Sequence, residues 1–254
     1  MLKVIGANGN VGRRLLEKSS DKVEVIKTRL DKHQLDYDFQ SLTNKDTIAF
    51  CAAISEPTVC ANNPELAIMV NVEKTIEFIE KSIQYGARVI FLSSDAVINN
   101  VGIYARLKFE VEKYFLDNSN VKVLRSSYNF FREDRFTSYL EKCALNNEVA
   151  EVFSPFERYV IHRDDTVDAI LSLSKKWIGS QIINCGGLEN VCRKKFAEVL
   201  KEEVFPDLKL KIVKPPESFY KDRPSSIEMS STELSSILGR PQRNLREAIR
   251  MEFS

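Results

Sequence analysis

The chain has 254 residues, 43% of them apolar, and a formal net charge of +1. That length and apolar content suit one large α/β unit or one domain with a smaller appendage, and the near-neutral charge gives no electrostatic footprint for nucleic acid or an anionic membrane surface. With only two histidines, His33 and His162, and no HExxH or CxxC spacing, no metal site is predicted, and no run approaches the ~20 apolar residues that a bilayer crossing needs.

In chain order, residues 2–5 read as a strand, followed by a Gly-rich turn and a helix with Val11, Leu15 and Leu16 on one face. Residues 23–26 and 47–51 read as the second and third strands. Residues 66–85 carry apolar side chains at helical spacing (Val70, Ile76, Ile79, Ile83), with Gly86 placed as the C-terminal stop. Residues 89–92 form a fourth strand that is nearly all apolar, as a strand covered on both faces should be. A helix over 104–116 and a fifth strand over 121–124 follow. Beyond about residue 130 the order loosens. A helix is expected at 136–146, a short strand at 159–161, and a helix through Lys176 capped by Asp164 or Asp165. A strand at 182–184 and a helix at 193–203 come next. Lys214-Pro215-Pro216 then makes a linker-like break before two short helices, after Met229 and after Asn244.

Strands alternating with helices predict an α/β fold with a doubly wound parallel Rossmann sheet. Residues 1–130 would form the dinucleotide-binding part. Residues 131–254 would supply the remaining Rossmann elements, interleaved with a smaller C-terminal α/β substrate lobe. The five cysteines are odd in number and lack tight pairing, so they read as reduced thiols of a cytoplasmic protein. The N-terminus runs straight into a strand, which predicts no signal peptide.

The turn Gly6-Ala7-Asn8-Gly9-Asn10-Val11-Gly12 has the spacing GxxGxxG between a strand and a helix. One glycine permits the tight turn, another lets a pyrophosphate approach the backbone, and a third lets the helix pack on the strand. The helix N-terminus then offers unpaired N–H groups to the phosphates. After the second strand, where NAD enzymes commonly place an acidic residue for the ribose, this chain has Lys27-Thr28-Arg29. Lys27 and Arg29 would suit a 2′-phosphate, which favours NADP(H) over NAD(H).

Tyr104 and Lys108 stand four apart on a predicted helix and share one face. Ser93-Ser94-Asp95 ends the fourth strand, at the edge where open α/β sheets carry their sites. A carbonyl reduction needs a proton donor and a group that polarises the oxygen. A phenol with a pKa near ~10 exchanges protons poorly at neutral pH, and a nearby ammonium lowers that pKa by favouring the phenolate. Lys108 would supply this charge and hold the nicotinamide ribose, and Ser94 would hydrogen-bond the substrate oxygen.

The segments GANGNVG, CAA, MVNVEKT, FLSSDAV, YARLK and VLRSSYNF resemble the blocks of extended short-chain dehydrogenases/reductases, the NAD(P)-dependent sugar epimerases and reductases. The closer resemblance is to the dTDP-4-dehydrorhamnose reductase branch, through Ser94-Asp95, Arg223-Pro224-Ser225-Ser226 and YVIHRDDTVDAI. The resemblance implies Tyr104 as proton donor, Lys108 as its electrostatic partner and ribose ligand, and Ser94 as ligand of the carbonyl oxygen. It places Asn71 on the cofactor side, at the helix position that helps order the site, with Ser93, Ala52 and Ala53 also on the cofactor side, Asp36 near the adenine, and Ser127 and Asn129 beside the nicotinamide or substrate. Asp95 would lie with the substrate, and Arg223 would meet the diphosphate of a nucleotide sugar. One departure is clear: nine residues separate Ser94 from Tyr104, where relatives carry a longer loop over the sugar.

The implied function is NADPH-dependent reduction of a keto group on a nucleotide sugar, with C4 of a 4-keto-6-deoxy sugar as the expected position. Two alternatives stay open: an epimerase or dehydratase on the same site, disfavoured because no Asp-Glu pair follows Ser94, and a non-catalytic NADP-binding regulatory subunit. The latter would be expected to lose Tyr104 or Lys108. The resemblance also allows a homodimer through helices flanking the sheet.

Overall fold

The computed structural model describes residues 1–19 and 22–254. Six short strands make its central sheet. The chain enters through β1 (Leu2–Ile5), α1 (Asn10–Lys18) and β2 (Val23–Ile26), crosses a single 3₁₀ turn at Phe39–Ser41, and reaches β3 (Thr47–Phe50). Helices α2 (Pro57–Asn62) and α3 (Pro64–Ile68), a π turn at Met69–Glu73 and α4 (Lys74–Gln84) lead to β4 (Arg88–Ser94). Then come α5 (Ala96–Asn99), α6 (Gly102–Tyr114) and β5 (Val121–Ser126). The second half runs β6 (Asn129–Phe130), α7 (Arg135–Leu145), β7 (Val149–Phe153), β8 (Glu157–Arg158), β9 (Ile161–His162), α8 (Arg163–Lys175), β10 (Ile182–Cys185) and β11 (Val191–Cys192). It ends with α9 (Arg193–Glu203), β12 (Lys209–Val213), α10 (Glu217–Tyr220), α11 (Thr232–Leu238) and α12 (Leu245–Phe253).

The strand order is β10-β5-β4-β3-β1-β2, and every pairing is parallel. The chain builds outward from β1 to β2 and then crosses to β3 on the other side. The crevice between the C-terminal ends of β1 and β3 is therefore the switch point where open α/β sheets bind ligands. Alternation along the strands splits the core. Ile5, Phe50 and Phe91 pack with Phe78 on one face, whereas Val4, Ala49 and Ile90 pack with Val167 and Leu173 on the other. A third cluster, built on Phe130, Leu140, Val152, Phe196, Leu200 and Ile249, forms the core of the second half. Three small pairings, β6 with β9, β8 with β11 and β7 with β12, frame that lobe. Among the described residues no helix is long and apolar enough to cross a membrane.

Three sequence expectations need correction. The helix over 66–85 is interrupted by the π turn, which keeps the apolar face in register while turning Asn71 inward to a buried position. The strand expected at 159–161 is two separate strands, because residues 157–158 pair with β11 and residues 161–162 with β6. The cap of α8 is His162, whose Nδ1 accepts from the Asp164 amide at 3.2 Å. Asp164 and Asp165 lie inside the first turn and serve ion pairs instead. Arg14 and Lys18 hold Asp164 from α1, while Arg240 and Arg243 hold the fully buried Asp165.

Candidate active site

The first turn has the steric character that a dinucleotide cradle requires. Gly6 has φ +85°, and a Cβ there would stand 2.5 Å from the Ala52 amide nitrogen. A Cβ on Gly12 would stand 2.3 Å from the Gly6 carbonyl oxygen, so only glycine lets α1 sit this close to the strand end. Gly9 differs: its φ of −75° is ordinary, and its Cβ would meet nothing nearer than 3.3 Å. No side chain caps α1, and no acidic residue stands in its first turn. Asn8, Gly9 and Asn10 are exposed, and Val11 is buried against the sheet. The uncapped amides and the helix dipole thus face the crevice, and the residues present fit a pyrophosphate.

At the end of β2, Lys27 is exposed and Arg29 is ion-paired with Asp31, its Nε donating at 2.8 Å. This partner did not figure in the sequence reading, and a 2′-phosphate would compete with it. Asp36 is exposed on the loop that follows. Ala52 and Ala53 line the strand end beside Gly6, half-buried. Asn71 fixes this segment, because its Oδ1 accepts from the Ile54 amide at 2.8 Å and its Nδ2 donates to the Ile54 carbonyl at 2.9 Å. Both ends of the amide are used, so Asn71 shapes the 52–54 backbone and does not itself reach into the crevice. Ser93 is likewise turned away. It is buried and donates to Glu112 at 2.6 Å, which in turn holds Arg125.

Ser94 and Tyr104 do come together. The Ser94 hydroxyl accepts from the Ala96 amide at 3.2 Å and donates to Asp95 at 3.2 Å. The Tyr104 phenol is pushed above its usual value, chiefly by burial and then by the Asp95 carboxylate and Cys60, with the neighbouring Ser94 hydroxyl opposing. The expected lowering by Lys108 is not what the geometry gives. The Lys108 ammonium is buried, donates to the Leu92 carbonyl at 2.8 Å and lies 4.4 Å from the Phe91 ring centre. Burial pulls it down to about 8. Asp95 is buried, accepts from Ser127 at 2.7 Å, and is shifted upward by desolvation. Asn129 donates to Ser126 at 2.7 Å and accepts from Thr166 at 2.5 Å, which fixes it in the cleft wall.

The short connection between Ser94 and Tyr104 is α5 and a bend ending at Gly102, whose φ is +83°. The segment carrying Asp222 crosses directly over Gly102, where a Cβ would meet the Asp222 carbonyl at 2.8 Å. The next residue, Arg223, reaches Glu56 at 2.9 Å. Two further arginines, absent from the sequence reading, stand behind it. Arg158 is buried, donates to the Glu157 and Pro224 carbonyls at 2.5 and 2.8 Å, and lies 4.1 Å from the Phe156 ring centre. Arg193 rests on Phe136, Phe156 and Phe219 at 4.7, 4.8 and 5.6 Å. Burial above all disfavours the charge on both, and neighbouring guanidinium groups add to it, Arg193 and Arg223 for Arg158 and Arg223 and Arg135 for Arg193. One signal for Arg193 was available in the sequence: Arg193-Lys194-Lys195 puts three cations in the first turn of a helix, against its dipole.

The five cysteines are free, and burial pushes Cys51 and Cys185 up to about 12, so neither is a ready nucleophile. Among the described residues no cluster could hold a metal ion.

The RmlD substrate binding domain model matches residues 1–253. The chain belongs to this RmlD family. Two solved structures have its fold across nearly the whole length. One is a dTDP-4-dehydrorhamnose reductase ortholog from Clostridium acetobutylicum, with a TM-score of 0.81 and 18% identity, covering 99% of this chain and 98% of that one. The other is a UDP-glucuronic acid 4-epimerase from Bacillus cereus in complex with a UDP-sugar analogue and NAD, with a TM-score of 0.81 and 16% identity, covering 99% and 97%. In sequence, the RmlD-family chain is 26% identical over 163 residues to the methionine adenosyltransferase 2 subunit beta of Bos taurus, covering 57% of this chain and 48% of that protein. It therefore spans about half the length of the curated relatives it matches.

Proposed function

We propose that the protein reduces a keto carbon of a nucleotide sugar with NADP(H), and that Tyr104 delivers the proton. The observation that carries this reading is the meeting of Tyr104 and Ser94 at the C-terminal end of β4, in the same crevice as an uncapped glycine turn. When bound, the dinucleotide supplies the hydride. The chain's own residues do the rest. Gly6, Gly9 and Gly12, with the amides of Asn10 and Val11, hold the pyrophosphate. Lys27 and Arg29 face a 2′-phosphate, and Ala52 and Ala53 leave room beside the nicotinamide ribose. A raised phenol keeps its proton at neutral pH, as a donor must, and releases it as negative charge grows on the substrate oxygen. Ser94 hydrogen-bonds that oxygen, and the Lys108 ammonium, four residues along the same helix, exchanges the Leu92 carbonyl for the ribose hydroxyls. Arg223 and Arg158 bind the diphosphate, Arg223 exchanging Glu56 for a phosphate oxygen.

The test is NADPH consumption with a panel of 4-keto-6-deoxy nucleotide sugars, comparing wild type with Tyr104→Phe. Turnover in the wild type, lost in the variant, supports the reading; equal rates reject it. The likeness to a subunit of another enzyme favours a second reading, a nucleotide-binding regulatory subunit. In that case NADPH binds and no sugar turns over.

A further inference from the structure

The connection between Ser94 and Tyr104 is short, and a segment distant in the chain crosses it. Residues 217–225, which include α10, run over the N-terminus of α6 as a strap. A Cβ on Gly102 would stand 2.8 Å from the Asp222 carbonyl oxygen and 3.0 Å from the Asp222 Cα. On one side the strap is bound to its own lobe. Phe219 packs edge-on against Phe153 and Phe156, with ring centres 5.0 and 5.1 Å apart, and the Tyr220 hydroxyl donates to the Pro155 carbonyl. The Pro224 carbonyl accepts from Arg158 at 2.8 Å, and the Ser225 carbonyl accepts from the Glu157 amide at 2.8 Å. On the other side, among the described residues, one hydrogen bond ties the strap to the first half of the chain: Arg223 donates to Glu56 at 2.9 Å.

Glu56 is the residue before α2, three positions beyond Ala53, so it belongs to the segment that follows β3 on the cofactor side. Its carboxylate gathers two cations from the second half. Arg223 takes one oxygen, and Arg135, the first residue of α7, stands 3.9 Å from the other. The Glu56 and Arg223 side chains are 44% and 26% exposed, so the pair is open to solvent and weak enough to be exchanged. Glu56 also places a negative charge where the diphosphate of a nucleotide sugar would bring its own, and like charges around one guanidinium repel.

We propose that Glu56 is an autoinhibitory latch: its carboxylate engages Arg223 before a ligand binds, holds the strap over the site, and must be displaced by the diphosphate of an entering nucleotide sugar. This adds regulation to the nucleotide-sugar reading and rests on it. A diphosphate carries more charge than one carboxylate and forms the stronger bonds to guanidinium, so it wins the exchange; an uncharged sugar does not. The latched fraction lowers the apparent affinity for every ligand that needs Arg223. Removing the carboxylate should therefore tighten diphosphate binding. A purely structural ion pair predicts the opposite sign, because its loss would loosen the roof and weaken binding.

The experiment is calorimetric titration of the NADP-loaded full chain with UDP, dTDP, CDP, ADP and GDP, comparing wild type with Glu56→Gln. Each nucleoside diphosphate that binds the wild type is expected to bind the variant about two- to sixfold tighter, with NADP affinity unchanged. The backbone amides of residues 217–225 are expected to exchange hydrogen faster in the ligand-free variant. Glu56→Asp, one methylene shorter than the reach to Arg223, serves as the second variant and is expected to behave as Glu56→Gln does. Equal or weaker diphosphate binding by the variants, or strap amides that exchange as in the wild type, overturns the latch and leaves the nucleotide-sugar reading standing. No binding of any nucleoside diphosphate by wild type or variant overturns both.

Discussion

Replacing Gly9 by alanine separates what the first turn does for folding from what it does for a ligand. Gly9 has φ −75° and ψ 164°, which alanine adopts freely, and the new methyl would meet only the Gly6 carbonyl at 3.3 Å. Alanine is a poorer N-cap than glycine by roughly 0.5–1 kcal/mol, and it restricts the unfolded chain by a similar roughly 0.4–1 kcal/mol. These nearly cancel, so the melting temperature should move by no more than about 4 °C. Gly12→Ala is the contrast. Its methyl would sit 2.3 Å from the Gly6 oxygen and 3.0 Å from the Ala7 Cα, both backbone, so α1 must shift off the sheet. Overpacking of this kind costs about 1–3 kcal/mol, a fall of roughly 2–12 °C in a chain of this size. In the Gly9 variant the methyl adds bulk to the exposed turn at the uncapped start of α1 and should weaken NADPH binding by at least about thirtyfold, near 2 kcal/mol for a lost charge-assisted hydrogen bond. Thermal melting and NADPH fluorescence titration read the two effects separately. A stable Gly9→Ala protein that binds NADPH as the wild type does would refute the phosphate role of the turn.

Lys108 gives a pH prediction. Burial lowers it from 10.5 to about 8. Below pH 8 folding carries the full cost of a buried charge, and between 8 and 10.5 the folded chain has shed a proton that the unfolded chain retains, so this contribution to stability rises with pH. Lys108→Met should therefore be more stable than the wild type at pH 7, by up to about 3 kcal/mol, with the gap closing toward pH 10.5; urea midpoints that differ equally at every pH would contradict it. Arg29→Ala should weaken NADPH binding about tenfold and NADH binding little, and equal losses would argue against a 2′-phosphate contact. Asp165→Asn leaves Arg240 and Arg243 without their fully buried carboxylate. It should cost about 3–5 kcal/mol, seen as a melting point lower by roughly 6–20 °C; a drop under about 3 °C would show that the pair adds little.

The parts legible in the sequence are those whose cause is local. Gly6 and Gly12 are demanded by close backbone approach within one turn, so spacing alone exposes them. Val4 and Ile5, or Ile90 and Phe91, face opposite layers because neighbouring strand residues must, and a run apolar on both faces announces a covered strand. Tyr104 and Lys108 follow from helical spacing. The illegible parts depend on partners distant in the chain. β12 reads as a lysine-rich stretch because its side chains are mostly exposed, and only pairing with β7 makes it a strand. The small cavity of the second half draws Tyr128, Phe156 and Arg193 from separate segments, so no local pattern marks it. The hydrogen-bond partners of Asn71 and Ser93 are hidden in the sequence for a related reason. Both stand near the crevice in sequence order, but Ile54 and Glu112 claim their side chains.

The most direct measurement follows a label rather than a rate. NADPH deuterated at the transferable nicotinamide position is incubated with a keto nucleotide sugar, and the sugar is weighed by mass spectrometry. One deuterium on the newly formed carbinol carbon, absent with Tyr104→Phe, is expected of a reductase whose phenol and serine face the reacting carbon. Tight NADPH binding with no deuterium on any sugar of the panel would contradict it and leave the fold serving as a regulatory subunit.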